Sequence, residues 1–206
     1  MAIDPEVPAP ATSGEDRILT IPNIITVVRL CFLPVFLWLL FAQDDRAAAA
    51  WLLAALGTTD FFDGYIARHF DQISELGKVL DPVADRLLFF VGIGGILVDG
   101  SVPVWFAVAV LVREVGIAVA TLVLVAMGAA RIDVTWFGKA GAFGLMMAFP
   151  LFLASHSDLS WAGSADTFAW LTGLPALAFS YYSVVLYVPL AREALRQGRA
   201  TAEVAS

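Results

Sequence analysis

Four aspartates fall within a short stretch of otherwise apolar sequence, from Asp60 to Asp85. The stretch reads DFFDGYIAR, then eight further residues, then GKVLDPVAD. Asp60 and Asp63 are three residues apart and Asp81 and Asp85 are four apart, so on helices each pair lies on one face. The eight residues between the two halves leave enough chain for a turn. We therefore expect two antiparallel helices whose acidic faces are opposed.

Carboxylates that converge in a medium of low dielectric constant oppose one another's ionisation. Bound divalent cations remove that conflict, and hard oxygen ligands suit Mg²⁺, Mn²⁺ or Ca²⁺. The four aspartates therefore predict a site for two divalent metal ions. The alternative is a cluster of ion pairs with the nearby cations Arg68, Lys78 and Arg86. Such a cluster explains neither the glycines nor the spacing.

The same stretch contains a longer pattern, D-x2-D-G-x2-A-R-x8-G-x3-D-x3-D, without a departure. Its fixed positions are occupied by Asp60, Asp63, Gly64, Ala67, Arg68, Gly77, Asp81 and Asp85. In this pattern the chain resembles the CDP-alcohol phosphatidyltransferase family, and the resemblance extends over roughly residues 20–192. The segments IPNIITVVRL, LDPVADRL and VREV are most similar to the phosphatidylglycerophosphate synthases and cardiolipin synthases of that family.

The resemblance implies an enzyme that transfers a phosphatidyl group from CDP-diacylglycerol to an alcohol and releases CMP. It implies two divalent ions, Mg²⁺ or Mn²⁺, held mainly by Asp60, Asp63 and Asp81. Asp85 would be the catalytic base and a further metal ligand. The partners expected are the lipid donor, an alcohol or lipid acceptor, membrane lipid and a second copy in a homodimer. No nucleic acid is expected.

The donor is expected to contact the small residues of the signature. Glycine has no Cβ, so a phosphate or sugar can approach the backbone closely. The resemblance assigns Asp60, Gly64, Ala67, Arg68 and Gly77 to binding of the nucleotide end of the donor.

The composition predicts a membrane protein. Of the 206 residues, 60% are hydrophobic and 15% are charged, against about 45–50% and about 25% in ordinary soluble domains. Apolar stretches recur at about 23–42, 48–69, 78–98, 103–127, 136–154 and 168–191. Each approaches the ~20 residues of a spanning helix. We expect an all-α integral membrane protein with six transmembrane helices.

The two ends of the chain differ from this apolar core. Residues 1–16 are rich in Pro, Ala and acids, which predicts a disordered cytosolic tail. The membrane domain then covers residues 17–192 and begins with a short interfacial helix over 17–26. Residues 193–206 are expected to form a cytosolic C-terminal tail.

Basic residues are concentrated in one set of loops. That set contains Arg17, Arg68, Lys78, Arg131, Lys139, Arg192, Arg196 and Arg199, whereas the opposite set contains Arg46 alone. Cytoplasmic loops carry the Lys/Arg excess. The metal site is therefore expected to face the cytosol, in a cell membrane of bacterial type.

The acceptor is less constrained by the sequence. Glycerol 3-phosphate is the first choice, and its phosphomonoester would need cations such as Arg113 and Lys139. Phosphatidylglycerol, as in a cardiolipin synthase, and inositol phosphate are the alternatives. Arg113 and Glu114 lie inside an apolar span, where charge is costly. Either they form a structural pair with the acidic helices or Arg113 lines the acceptor pocket, and Arg29 in the first span is similarly ambiguous.

Two other classes of membrane protein use acidic residues. Intramembrane prenyltransferases carry two Asp-rich motifs far apart in sequence, whereas both motifs here fit between Asp60 and Asp85. A cation transporter would use the acids as a pathway, but neither repeats nor broken helices around a midplane site are visible. Both are less favoured than the phosphatidyltransferase.

Overall fold

Six α-helices make up the described part of the chain. The computed structural model describes residues 21–70, 75–129 and 135–205, with side chains over 24–59, 84–129 and 135–197. The helices are α1 (Ile21–Phe41), α2 (Arg46–Phe70), α3 (Glu75–Asp99), α4 (Val104–Ala126), α5 (Trp136–Ser155) and α6 (Ala162–Ala205). No strand occurs in these three segments. The prediction of an all-α protein is confirmed.

Four of these helices are long and apolar enough to cross a bilayer. Among the described residues they cover Ile24–Phe41, Val104–Ala126, Trp136–Ser155 and Ala162–Gln197. Their outward faces are apolar as well, and on α4 the side chains of Leu122 and Val125 are 70% and 68% exposed. A surface of that kind matches lipid rather than water.

The ends of the outer helices differ from the predicted boundaries. Residues 21–26 belong to α1, so this part of the expected interfacial helix continues directly into the first span. Residues 17–20, the remainder of that helix, and the expected tail over 1–16 lie outside the described residues. At the other end α6 begins at Ala162 and continues through the expected C-terminal tail to Ala205.

The most extensive helix contact among the described residues is between α5 and α6. Small residues permit it: a Cβ built on Gly141 would lie 2.5 Å from Ser180 Oγ and 2.9 Å from the Ser180 backbone nitrogen. One turn further, a Cβ on Gly144 would lie 2.6 Å from the Ala176 Cβ. Close backbone approach of this type is how helices associate in lipid.

Helix α4 joins this pair through a cluster of aromatic rings. Phe106 is fully buried, and its ring centroid lies 5.3 Å from that of Phe152 and 5.9 Å from that of Trp170. Edge-to-face contacts at these separations add to the energy of burial. The first half of α4 is thereby fixed against α5 and α6.

Helices α2 and α3 form an antiparallel hairpin. At its open end, Arg46 binds both carboxylate oxygens of Asp99, Nε to Oδ2 at 3.0 Å and Nη2 to Oδ1 at 3.0 Å. Ser101 also donates to Asp99. The hydrogen bond with Asp99 raises the pKa of Arg46 above its ordinary value.

A second contact fixes the register of this hairpin. A Cβ on Gly92 would lie 3.3 Å from Leu53 Cδ1. Leu53 is 17 residues before α2 ends at Phe70, and Gly92 is 17 residues after α3 begins at Glu75. Arg46 and Asp99 are likewise each 24 residues from those two ends. A residue of α2 therefore lies level, along the helix axes, with the residue of α3 that is as far from Glu75 as it is from Phe70.

Helix α1 packs against α3. A Cβ on Gly95 would lie 3.1 Å from Phe36 Cε1, so the glycine admits the phenyl ring. Nearer the N-terminal ends of the same two helices, Arg29 contacts Asp85. Both contacts advance in the same direction along the chain, so α1 and α3 run parallel.

The α5–α6 packing predicts unequal effects of two glycine substitutions. Gly141→Ala places a methyl group against backbone atoms of α6, which cannot move unless the helices separate, and should cost roughly 1–3 kcal/mol. Gly116→Ala, in α4, meets nothing within 4 Å and should be neutral or stabilising by up to about 1 kcal/mol. Thermal unfolding in detergent, followed by tryptophan fluorescence, compares them. Equal midpoints would contradict this account of the packing.

Candidate active site

A cavity of about 260 Å³ lies between α2, α3, α4 and α5. Most of its wall is apolar, and four ionisable side chains interrupt it. The lining residues are Leu53, Gly57, Asp85, Arg86, Leu88, Phe89, Gly92, Ile93, Arg113, Glu114, Ala142, Leu145, Met146, Phe149 and Pro150.

Asp85 is the one residue of the acidic signature whose side chain is described. It lines the cavity and is 46% exposed. On the side of α1 its Oδ1 accepts a hydrogen bond from Arg29 Nη1 at 2.8 Å. Arg29 is only 4% exposed, so a buried guanidinium stands behind an open carboxylate.

The predicted acceptor residue Arg113 also lines the cavity. Its side chain is 8% exposed and donates from Nη1 to Glu114 Oε2 at 2.6 Å. Nη2 donates to Ser183 Oγ at 3.3 Å, which ties α4 to α6. The sequence left open whether Arg113 pairs with the acidic helices or lines the acceptor pocket; in the described residues it lines this cavity and is bonded to Glu114. Its ion-pair partner is its own neighbour in α4.

The cavity as described has no excess of either charge. Asp85 and Glu114 offset Arg86 and Arg113 in formal charge. The other predicted acceptor residue, Lys139, is exposed in the first turn of α5 and is absent from the described lining. The two acceptor predictions thus differ in position: Arg113 faces this space and Lys139 does not.

The remaining signature residues are placed only by their helices. Asp60, Asp63, Gly64, Ala67 and Arg68 belong to α2. Gly77 and Asp81 belong to α3. Their side chains lie outside the described part of the chain, so the predicted ligand set and donor contacts stay predictions. Among the side chains that are described, no group of three or more His, Cys, Asp or Glu residues could hold a metal ion.

The role of Arg29 as partner of Asp85 was not predicted, although the sequence contains a signal for it. Arg29 is the only charged residue of α1, so its charge has no counterpart on its own helix. A cation inside an apolar span requires a partner on another helix. The contact of Ser183 with Arg113 has no comparable signal, because nothing distinguishes Ser183 from the other serines of α6.

Comparison with known proteins now identifies the family. The model of the CDP-alcohol phosphatidyltransferase family matches residues 19–191. A Streptomyces coelicolor protein named cardiolipin synthase (CMP-forming) is 37% identical over 186 residues, which is 88% of this chain and 86% of the relative. A Mycobacterium tuberculosis protein named probable phosphatidylglycerophosphate synthase is 36% identical over 146 residues, 68% of this chain and 69% of the relative.

A Bacillus subtilis protein named CDP-diacylglycerol–glycerol-3-phosphate 3-phosphatidyltransferase is 30% identical over 122 residues. The matched region covers 52% of this chain and 63% of that relative. The family match extends over nearly all the described helices and includes the complete acidic signature. The chain is an integral membrane enzyme that belongs to the CDP-alcohol phosphatidyltransferase family and acts as a CDP-diacylglycerol-dependent phosphatidyltransferase.

Proposed function

We propose that this enzyme transfers the phosphatidyl group of CDP-diacylglycerol to a glycerol hydroxyl of phosphatidylglycerol, with cardiolipin and CMP as products. The observation that carries the choice of acceptor is the cavity beside Asp85, which is mostly apolar and has no net formal charge among its described side chains. The Streptomyces coelicolor relative is named cardiolipin synthase (CMP-forming), which agrees with this choice.

Charge separates the two main acceptors. Glycerol 3-phosphate brings a phosphomonoester of nearly two negative charges into the site, and side chains that balance it must be cationic. Here Arg113 is already bonded to Glu114 and Ser183. The phosphodiester of phosphatidylglycerol carries a single negative charge, and its acyl chains can remain in lipid. An apolar, balanced cavity suits that acceptor better.

Glycerol 3-phosphate, the first choice from sequence, is the second candidate. The Mycobacterium tuberculosis relative is named probable phosphatidylglycerophosphate synthase, which favours this acceptor. The presence of Arg86 and Arg113 in the cavity wall favours it as well. Those two guanidiniums supply the charge that a phosphomonoester needs only if their acidic neighbours are displaced. For this reason we place it second.

The register of the α2–α3 hairpin supports a shared site for the four aspartates. Asp60 is ten residues before Phe70 and Asp85 is ten after Glu75, while Asp63 and Asp81 are seven and six residues from the same ends. At a rise of about 1.5 Å per residue the first two are about 15 Å from the turn. Carboxylate oxygens are the donors that Mg²⁺ and Mn²⁺ prefer, so the residues fit these ions.

In the proposed reaction Asp85 takes the proton of the acceptor hydroxyl. The hydroxyl oxygen forms a bond to the phosphorus that bears diacylglycerol, and the phosphoanhydride bond to CMP breaks. Asp60, Asp63, Asp81 and Asp85 would hold two divalent cations, which would supply the positive charge that offsets the diphosphate and the leaving oxygen. Gly64, Ala67, Arg68 and Gly77 hold the nucleotide end of the donor. CMP departs with the electron pair of the broken bond.

The setting in the membrane follows from the same hairpin. We propose six spans in total, with α2 and α3 added to the four apolar helices, and a site that opens to the cytosol. The set of loops to which Arg68 and Lys78 belong carries more Lys and Arg than the opposite set, which supports this orientation. A homodimer remains part of the proposal, as the family resemblance implies.

Metal dependence is the first test. Exhaustive chelation should abolish release of CMP from CDP-diacylglycerol, because the diphosphate charge is then uncompensated, and added Mg²⁺ or Mn²⁺ should restore it. The control is the same chelator saturated with Mg²⁺ beforehand, which should leave activity intact. Full activity after chelation would exclude the two-metal site.

The second test separates the base from the other aspartates. Asp85→Asn keeps the shape of the side chain but cannot accept the proton, so kcat should fall by about 10²–10⁴-fold. Binding of CMP in the presence of Mn²⁺, measured by calorimetry, should change little. Asp60→Asn and Asp63→Asn should lose both properties. Equal loss of CMP binding in all three variants would show that Asp85 acts mainly as a metal ligand, and the distinct role of Asp85 as base would lose its support.

The third test identifies the acceptor. Purified wild-type protein is incubated with CDP-diacylglycerol and either phosphatidylglycerol or glycerol 3-phosphate, and lipid products are separated. We expect cardiolipin with the first acceptor and little phosphatidylglycerophosphate with the second. The reverse result would restore glycerol 3-phosphate as the acceptor and leave the account of the acidic site unchanged.

Two variants refine the same experiment. If glycerol 3-phosphate is the acceptor, Arg113→Ala removes a charge-assisted contact and should raise its KM by on the order of ten- to a hundredfold, with donor affinity retained. If phosphatidylglycerol is the acceptor, its KM should change much less, because Arg113 is already bonded to Glu114 and Ser183. Lys139→Ala is the matched control, because Lys139 is absent from the described lining. A larger effect of Lys139→Ala would move the acceptor site toward the start of α5.

A further inference from the structure

We infer that Arg29 is a positioning residue for the transfer reaction: it fixes the direction of the Asp85 carboxylate at the edge of the cavity. The bond runs between helices, from Nη1 of Arg29 in α1 to Oδ1 of Asp85 in α3, at 2.8 Å. The inference rests on the proposed role of Asp85 as base and holds for either acceptor.

A second arginine–aspartate pair, between α2 and α3, serves as a structural comparison. Arg46 contacts both oxygens of Asp99, and that carboxylate is 5% exposed while Arg46 is 29% exposed. At Arg29 the burial is reversed: the guanidinium is 4% exposed and the carboxylate 46%. The Asp99 carboxylate is enclosed, whereas the Asp85 carboxylate is bonded by a buried guanidinium and is nearly half exposed.

The open side of Asp85 is the side on which the proposed reaction occurs. Asp85 lines the cavity, whereas Arg29 does not. A base must lie within hydrogen-bonding reach of the proton that it takes, so the direction of its carboxylate decides its efficiency. Arg29 touches Asp85 and is absent from the described cavity wall, so it acts on the reaction through Asp85.

The packing of α1 against α3 holds the backbone of Arg29 in a fixed position. Phe36 enters the space left by Gly95, and the same ring belongs to the buried core. Phe36 is two helical turns beyond Arg29 on α1. The backbone of Arg29 is therefore held by the packing of α1, and its guanidinium is held by the bond to Asp85. Because both ends of the side chain are fixed, the Asp85 carboxylate is held in one orientation.

The test compares Arg29→Gln and Arg29→Lys with Arg46→Gln. Four quantities are measured for each: kcat, the acceptor KM, Mn²⁺-dependent CMP binding by calorimetry and the unfolding midpoint. Arg29→Gln should lower kcat by on the order of ten- to a hundredfold, the value of one charge-assisted bond, with acceptor KM and CMP binding within about threefold of wild type. Arg29→Lys keeps a point charge without the planar guanidinium, so its kcat should lie between those of wild type and Arg29→Gln.

Arg46→Gln is the matched control, because it breaks an arginine–aspartate pair of α2 and α3 whose members are both absent from the described cavity lining. It should lower the unfolding midpoint at least as much as Arg29→Gln and leave kcat unchanged in the folded protein. If Arg29→Gln does not fold, Arg29→Lys carries the test by itself: a several-fold loss of kcat at the wild-type midpoint supports the inference.

Three results would overturn it. Wild-type kcat in Arg29→Gln or in Arg29→Lys would reduce the pair to an anchor between α1 and α3. Parallel loss of kcat and CMP binding would place Arg29 in the donor site. Parallel loss of kcat in Arg46→Gln would show that any weakening of the hairpin has the same effect. Wild-type turnover in Asp85→Asn is a separate failure, because it removes the proposed base rather than the role of Arg29.

Discussion

A charge inside an apolar helix bundle is stable only with a partner, and this rule organises the protein from one end to the other. Three arginines illustrate it. Arg46 is paired with Asp99 at the open end of the hairpin, Arg113 with Glu114 beside the cavity, and Arg29 with Asp85 between α1 and α3. Each pair joins or adjoins a different helix contact. The polar groups that the chemistry needs therefore also connect the helices.

Close packing provides the rigid surroundings of these pairs. At the α5–α6 contact glycines let the helices approach where a methyl group would not fit, and at the α1–α3 and α2–α3 contacts they leave room for the side chains of Phe36 and Leu53. The cavity lies where that packing stops, between α2, α3, α4 and α5. Because α4 is held mainly through the rings around Phe106, its later half contributes little to the core and instead presents an apolar face outward.

The sequence was sufficient for the features that depend on local pattern. Hydropathy predicted six transmembrane helices; the described residues contain six helices, of which four are long and apolar enough to span a bilayer. The signature from Asp60 to Asp85 indicated the family, which the match over residues 19–191 confirms. Its spacing also predicted that α2 and α3 run antiparallel, in agreement with the contact of Arg46 with Asp99. Contacts between distant helices were beyond it. The choice of Asp85 by Arg29, 56 residues away, depends on how α1 crosses α3, and no local pattern encodes that. The continuation of α6 to Ala205 lies beyond the last apolar stretch, because polarity marks the membrane boundary and not the end of a helix.

The unusual length of α6 has a practical consequence. Its 44 residues extend about 66 Å, roughly twice the ~30 Å of hydrocarbon that a bilayer offers. Through Gly141 and Ser180 the helix is in backbone contact with α5, so its membrane portion moves with the bundle. A soluble domain fused in helical continuity to the last turn would inherit the orientation of the bundle. For a membrane enzyme of 206 residues, that offers a rigid fiducial for aligning single-particle images.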